Sequence, residues 1–129
     1  MSGPLLDTSA LIDFSKRREP AHSRIPAWFT QGELLAVCAI IVTEFFTGID
    51  PADRADWDQF FSTLHDWDVS PTAARQAGIW RFEFARRDIQ LSTPDTLIAA
   101  VAHERAAAIV TCNVQDFPMS GVQLLSLRP

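Results

Sequence analysis

No stretch of the sequence contains the roughly 20 consecutive apolar residues that a membrane-spanning helix requires. The first residues, Met1 to Leu6, also lack the basic start and the long apolar stretch of a secretory signal peptide. These two absences predict a protein of the cytoplasm that does not enter a membrane.

Cysteine is scarce, since the chain has only Cys38 and Cys112, and neither belongs to a CxxC pair. Both lie in apolar runs that resemble strands, so we expect small buried side chains that form no bond with each other. A disulfide and a metal–thiolate pair are the less favoured alternatives.

Internal repeats, low-complexity segments and linkers rich in proline or glycine are also absent from the 129 residues. Hydrophobic residues make up 47% of the chain and include nine phenylalanines and four tryptophans, which is ample for a packed core. A chain of this length suits one folding unit. We therefore expect a single domain over residues 1–129.

Positive charge is in the minority, because sixteen acids face eleven bases and give a net charge of −5. That balance argues at first against a nucleic-acid partner. Four of the acids, however, are candidates for a metal site, and without them twelve acids face eleven bases. The remaining surface is then nearly neutral, so local basic patches matter more than the total.

Hydrophobic patterning predicts strands that alternate with helices. We expect strands over residues 4–7, 34–39, 67–70, 108–112 and 122–127, and helices over residues 8–16, 23–32, 40–48, 52–65, 71–88 and 94–107. In helix 23–32 we expect Pro26 in the first turn. The apolar side of helix 71–88 is expected to comprise Ala74, Ala77, Gly78, Phe82 and Ala85. Such alternation predicts an α/β fold with a central parallel sheet between helices, whose ligands bind at the carboxyl ends of the strands.

Four acids fall at that edge of the predicted sheet. Asp7 ends the first strand, Glu44 lies early in the helix after the second strand, Asp95 begins a later helix, and Asp116 follows the fourth strand. In a right-handed parallel layout, the carboxyl ends of strands and the amino ends of the connecting helices share one edge. We therefore expect the four side chains to meet.

Each acid has an ordinary alternative explanation. Asp7 could cap a helix, Asp95 could favour a first helical turn, and Asp116 could belong to a turn. Glu44 is harder to explain in this way, because it stands among apolar residues where an unpaired charge is costly. Four carboxylates together repel one another and need a cation, and an all-oxygen set suits Mg²⁺ or Mn²⁺.

Four segments around these acids resemble the blocks of PIN-domain nucleases, and most of all those of VapC toxins from bacterial toxin–antitoxin pairs. The segments are residues 5–12 (LLDTSALI), 43–48 (TEFFTG), 94–102 (PDTLIAAVA) and 111–117 (TCNVQDF). The resemblance spans nearly the whole chain. It implies a PIN-like three-layer α/β/α fold.

The resemblance also implies roles for individual residues. Asp7, Glu44, Asp95 and Asp116 match the acidic metal ligands and catalytic residues of the family. Three polar residues match supporting positions, namely Thr8, Thr111 and Asn113. Cys112 departs from the family, where arginine is common, and Ala39 stands where serine is common.

The activity implied by the resemblance is a Mg²⁺-dependent endoribonuclease, with Mn²⁺ as an alternative ion. Such a toxin cleaves structured RNA, tRNA or rRNA, and thereby arrests translation and growth. The resemblance further implies a homodimer and inhibition by a cognate VapB-like antitoxin.

Basic and aromatic residues outside the acid cluster suggest further contacts. Lys16, Arg17 and Arg18 follow the first helix near the acidic edge and could contact RNA phosphates, although a solvated charge run is the ordinary explanation. Arg86 is a further candidate for RNA contact. Alternatively, its positive charge near the end of helix 71–88 could interact favourably with the helix dipole. The aromatic stripe of helix 52–65 is expected to lie partly in the core and partly in a partner groove. It comprises Trp57, Phe60, Phe61 and Leu64.

Three other functions remain open at this point. A PIN nuclease that processes RNA without an antitoxin differs little in sequence. A phospho-accepting receiver domain also has an acidic pocket on a parallel sheet, but it needs a late lysine, and the only lysine here is Lys16. A binding module that retains the fold without a metal is disfavoured by the four intact acids.

Overall fold

The computed structural model describes residues 3–128, so residues 1–2 and 129 of the expected domain lie outside the described residues. The strands are β1 Leu5–Leu6, β2 Ala36–Cys38, β3 His65–Trp67, β4 Ile109–Thr111 and β5 Leu124–Ser126. The helices are α1 Thr8–Ser15, α2 Ala21–Thr30, α3 Ala39–Thr47, α4 Arg54–Phe61, α5 Pro71–Ala85 and α6 Thr93–Glu104. Single 3-10 turns span Pro51–Asp53 and Val114–Asp116.

The five strands form one parallel sheet in the order β3-β2-β1-β4-β5. The central strand β1 places Leu5 between Ala36 of β2 and Ile109 of β4. The chain therefore builds one half of the sheet outward from β1 and then returns to build the other half beside it. Between β1 and β4 lies the switch point where open parallel sheets form their ligand crevice. The α/β class with a central parallel sheet is confirmed.

The core lies on both sides of this sheet. Leu5 and Leu6 point to opposite faces because they are neighbours in a strand, yet both are completely buried. Ile109 and Val110 of β4 behave in the same way. Such double burial requires a covering layer on each face, which the helices supply, and it explains why these strands are continuous apolar runs.

Helix α2 begins two residues before the predicted start, and the placement of Pro26 in its first turn was wrong. Pro26 is the sixth residue of the helix. The reason lies in Glu19, whose carboxylate accepts hydrogen bonds from both the backbone N–H and the hydroxyl of Ser23. This upstream acceptor satisfies a first-turn donor and lets the helix begin at Ala21.

The prediction of which side of α5 is buried was also largely wrong. The helix buries Ala73, Ala77, Trp80 and Phe84, whereas Phe82 is 60% exposed. Trp80, Phe82 and Phe84 are spaced by two, so a helix cannot place all three on one side. The side with Trp80 and Phe84 buries two large rings, which removes more apolar surface from water than the predicted side with Phe82.

The stripe predicted for helix 52–65 is divided between core and surface, and a partner groove for its exposed part stays a prediction. The predicted helix end was wrong, because α4 ends at Phe61 and Leu64 lies just before β3. Leu64 is buried, whereas Trp57, Phe60 and Phe61 are half-buried and pack against the core. Their rings join Phe14 of α1 and Phe45 of α3, with centroids 5.2 Å apart for Phe14–Phe60 and 5.0 Å apart for Phe45–Trp57. These ring contacts pack α4 against α1 and α3. Part of the Phe60 ring remains accessible to solvent.

Both cysteines are buried and free, as expected. Among residues 3–128, none of the helices combines the length and the apolar character that crossing a membrane would demand.

Candidate active site

Asp7 lies immediately after β1, where the chain turns into α1. The side chain is only 6% exposed, and Oδ2 accepts hydrogen bonds from Ser9 Oγ at 2.9 Å and Thr111 Oγ1 at 2.8 Å. Asp7 occupies the N-cap position of α1, but its carboxylate makes no capping hydrogen bond. The capping explanation therefore does not account for this acid.

Ser9 is the part of this arrangement that the sequence did not single out. Besides donating to Asp7, Ser9 Oγ accepts the backbone N–H of Cys112 at 3.0 Å and lies 3.2 Å from Thr111 Oγ1. It thus joins the ends of β1 and β4 across the switch point. The only sequence signal was its place two residues after Asp7, which is too common a spacing to be informative.

Glu44 projects from the second turn of α3 and is half-buried. Its Oε1 accepts a hydrogen bond from Thr8 Oγ1 at 2.8 Å, across 36 residues of sequence. Thr8 therefore orients the carboxylate, and its supporting role in catalysis stays a prediction. Ile41 and Phe45, on the adjoining side of the helix, are buried in the core, so α3 is anchored and Glu44 lies at the border between core and cavity.

Asp95 lies in the first turn of α6, where Ser92 is the N-cap and its Oγ accepts the Asp95 backbone N–H at 3.1 Å. Since Ser92 caps the helix, the carboxylate of Asp95 is not needed for that purpose. Asp116 ends the 3-10 turn after β4, and its backbone N–H bonds to the carbonyl of Asn113. The Asn113 N–H in turn donates to Thr111 Oγ1 at 2.9 Å.

All four acids line one cavity of about 340 Å³, at the carboxyl edge of the sheet. Its other lining residues are Thr8, Ser9, Ile12 and Asn113. Thr111 supports Asp7 from the end of β4 and does not line this cavity. Lys16 is not part of the lining either, which leaves the cavity without the lysine that a receiver domain needs.

Burial and the charges of neighbouring acids raise the pKa of two of these acids, Asp7 and Asp95. Burial raises the pKa of Asp7 against the opposing hydrogen bonds from Thr111 and Ser9, and the nearby charge of Glu44 raises it further. Burial also raises the pKa of Asp95, helped by the charges of Asp116, Asp7 and Glu44. The charges of neighbouring acids therefore contribute to the raised pKa of both Asp7 and Asp95. Within residues 3–128, however, no group of three or more Asp, Glu, His or Cys side chains lies close enough together to hold a metal ion.

The metal-free protein should gain stability when Asp95 becomes asparagine. The pKa of Asp95 in the folded state is raised above its ordinary value of 3.8. Between these two pKa values, the folded state therefore binds more protons than the unfolded state does. The free energy of unfolding therefore falls as the pH rises through the folded-state pKa. We expect Asp95→Asn to raise the unfolding temperature in EDTA at pH 7, by a margin that shrinks toward pH 4. A larger loss of stability at pH 7 than at pH 4 would contradict this explanation.

The basic candidates for RNA contact are dispersed. Lys16 is exposed at the end of α1 and lines a small cavity of about 110 Å³ that also touches Glu44. Arg17 is exposed, whereas Arg18 Nη1 lies 3.3 Å from the buried carboxylate of Asp13. Arg86 stacks over the exposed ring of Phe82, 4.3 Å from its centroid, and does not line the acidic cavity. The contacts of these residues with RNA stay predictions.

Comparison with known proteins identifies the family. The model of the PIN domain matches residues 5–118, which contain all four acids. This chain belongs to the PIN domain family. Over 115 residues, the PIN domain is 27% identical to Ribonuclease VapC19 of Mycobacterium tuberculosis, a match that covers 89% of this chain and 92% of that protein.

Solved structures agree with this assignment. DNA-bound VapBC from Salmonella typhimurium is 26% identical, with a TM-score of 0.83 over 98% of this chain and 99% of that chain. A toxin–antitoxin complex from Klebsiella pneumoniae is also 26% identical, with a TM-score of 0.74 over 92% and 94% of the two chains. VapBC2 from Rickettsia felis, at 21% identity and a TM-score of 0.83 over 96% and 98%, shares the fold.

Proposed function

We propose that this PIN domain is a Mg²⁺-dependent endoribonuclease that acts as the toxin of a toxin–antitoxin pair in the cytoplasm. It cleaves structured RNA, tRNA or rRNA, and so arrests translation and growth. The observation that supports this most strongly is the convergence of Asp7, Glu44, Asp95 and Asp116 on one cavity at the switch point of the sheet. The similarity to Ribonuclease VapC19 supports RNA as the substrate.

The donor set suits a hard divalent cation. The four acids offer only carboxylate oxygens. Burial, and to a smaller extent the charges of neighbouring acids, raise the pKa of Asp7 and of Asp95, and a bound cation would oppose both effects. Mg²⁺ prefers such oxygen ligands, as does Mn²⁺. A bound ion of this kind activates water and stabilises the charge of a phosphodiester under in-line attack.

The chain's own residues prepare the cavity for this chemistry. Ser9 and Thr111 hold Oδ2 of Asp7, and Thr8 holds Oε1 of Glu44. Asp95 and Asp116 line the same cavity. Because neighbouring acids contribute to the raised pKa of both Asp7 and Asp95, neither of these two carboxylates is singled out as the general base.

A second surface suits the proposed partner. An apolar groove of about 380 Å³ is lined by Phe14, Pro26, Phe29, Phe60 and Thr63, from α1, α2, α4 and the segment after α4. We propose that the apolar face of an antitoxin helix occupies it, in the manner of helix-in-groove recognition. The similarity to the Salmonella and Klebsiella complexes supports a VapB-like protein as the occupant. A homodimer is part of the same proposal.

The central test is RNA cleavage by the purified protein and in cells. We expect cleavage of a tRNA and rRNA mixture in Mg²⁺, its loss in EDTA, and its return when Mg²⁺ or Mn²⁺ is added in excess. Brief induction in cells should arrest growth, and mapping of RNA ends should show a small set of cut sites that identifies the substrate.

The outcomes separate the alternatives. Cleavage that persists in EDTA would contradict the metal dependence. Active protein that leaves growth unchanged would favour an RNA-processing nuclease without an antitoxin. Absence of cleavage and of any Mn²⁺ binding would favour a binding module that retains the fold.

A further inference from the structure

Asp13 is a buried acid outside the acidic cavity, and the proposed chemistry does not use it. It lies in the second turn of α1, is only 5% exposed, and does not line the cavity of the four acids. A buried carboxylate is costly unless several donors satisfy it. The donors that satisfy Asp13 therefore define the segments that it connects.

Three donors bond to Asp13, one from the segment just after α1 and two from about 100 residues later in the chain. Arg18 Nη1 donates to Oδ1 at 3.3 Å, whereas Cys112 Sγ at 3.1 Å and Arg128 Nη2 at 3.2 Å both donate to Oδ2. Although burial raises the pKa of Asp13, these hydrogen bonds together hold it below its usual range. The carboxylate is thus charged and joins α1, the segment after β4, and the C-terminal segment after β5.

The segment after β4 is held at two points on α1. The backbone N–H of Cys112 donates to Ser9 and its thiol donates to Asp13. Ser9 and Asp13 are four residues apart, so they lie on one side of α1, separated by one turn. Cys112 is therefore fixed against α1 by both its backbone and its side chain.

The neighbours of Cys112 belong to the candidate active site. Thr111 donates to Asp7, and the Asn113 N–H donates to Thr111 just before the turn that presents Asp116. From the other side, the Leu127 N–H bonds to the Thr111 carbonyl at 2.9 Å, next to Arg128. Cys112 is thus the direct neighbour of Thr111 and Asn113, the residues that orient Asp7 and the turn of Asp116. A change in the contact between Asp13 and Cys112 should therefore shift both of these residues.

We propose that Asp13 is a positioning residue, which with Cys112 and the C-terminal Arg128 holds the loop of Asp116 in register with Asp7. This role rests on the proposed nuclease function for its effect on catalysis. Its effect on the loop itself is independent of that function. Loss of a contact made directly to a metal ligand typically lowers activity by roughly 10- to 100-fold. Because Asp13 acts through Cys112, we expect an effect at the lower end, about 10-fold.

The test compares ¹H–¹⁵N spectra in EDTA with cleavage of a tRNA mixture in Mg²⁺. We expect Asp13→Asn to move the amide signals of Cys112, Asn113 and Asp116, and to lower kcat by about 10-fold with little change in KM. Arg128→Ala should move the same signals less, and because Arg128 is exposed, that variant should fold even where Asp13→Asn does not. Cys112→Ser, which keeps a donor, should resemble the wild type more than Cys112→Ala does.

Asp58→Asn is the matched control, because Asp58 is an exposed acid of α4 outside both clusters. It should move none of the three signals. Spectral changes confined to α1 and Arg18, in both Asp13→Asn and Arg128→Ala, together with an unchanged kcat, would overturn the proposal. If the wild type itself fails to cleave RNA, the proposed function fails, and the spectra alone decide the positioning role.

Discussion

Asp7→Asn should lower RNA cleavage by about three orders of magnitude while the protein stays folded. Charge stabilisation by a metal ion in phosphodiester hydrolysis is worth several kcal/mol, and each ~1.4 kcal/mol corresponds to a factor of ten in rate. Asparagine keeps the shape of the side chain and can still accept from Ser9 and Thr111, but it loses the charge that a cation requires. The rate of cleavage under single-turnover conditions measures the change.

The folded state of Asp7→Asn must be verified separately. Its unfolding temperature in EDTA should equal or exceed that of the wild type, because burial and the charge of Glu44 oppose ionisation of Asp7. Asp56→Asn, on the exposed side of α4, is the matched control and should cleave RNA normally. Full cleavage by a folded Asp7→Asn protein would refute the assignment of the site.

The acids of the site could be predicted because topology determines their position. Asp7 follows a strand and Asp95 begins a helix, and in a parallel sheet both features fall at the same edge. This inference needs only the order of elements, so errors of two or three residues in their bounds do not change it. Strand β3, predicted at 67–70 and found at His65–Trp67, illustrates that tolerance.

The contacts of Ser9 and Asp13 with the segment after β4 could not be predicted. Both residues bond to Cys112, about 100 residues later in the chain, and no local pattern encodes a pairing across that distance. Phe82 was misplaced for a related reason. Local spacing allowed two apolar sides for α5, and only packing against α6 decides between them.

Substitution in the apolar groove proposed for the antitoxin should strongly weaken antitoxin binding. Phe60 packs against two other rings of the groove's lining, with ring centroids 5.2 Å from Phe14 and 6.1 Å from Phe29. Aromatic residues at the centre of an interface commonly contribute 2 kcal/mol or more to binding, which corresponds to roughly 30-fold in affinity. We therefore expect Phe60→Ala to weaken binding of the cognate antitoxin by about 30-fold or more, as measured by calorimetry with the purified partner.

A second variant separates binding from folding, because Phe60 also packs against Trp57 within the aromatic network. Thr63 is exposed at the edge of the groove, so Thr63→Glu removes no core contact and places a charge where an apolar helix would lie. It should weaken the antitoxin while leaving the unfolding temperature nearly unchanged. Phe82→Ala deletes an equally large but exposed ring on α5, and should leave the affinity as it is. If Thr63→Glu and Phe60→Ala bind the antitoxin as tightly as Phe82→Ala does, the partner does not use this groove, and its binding site must be sought on another face of the PIN domain.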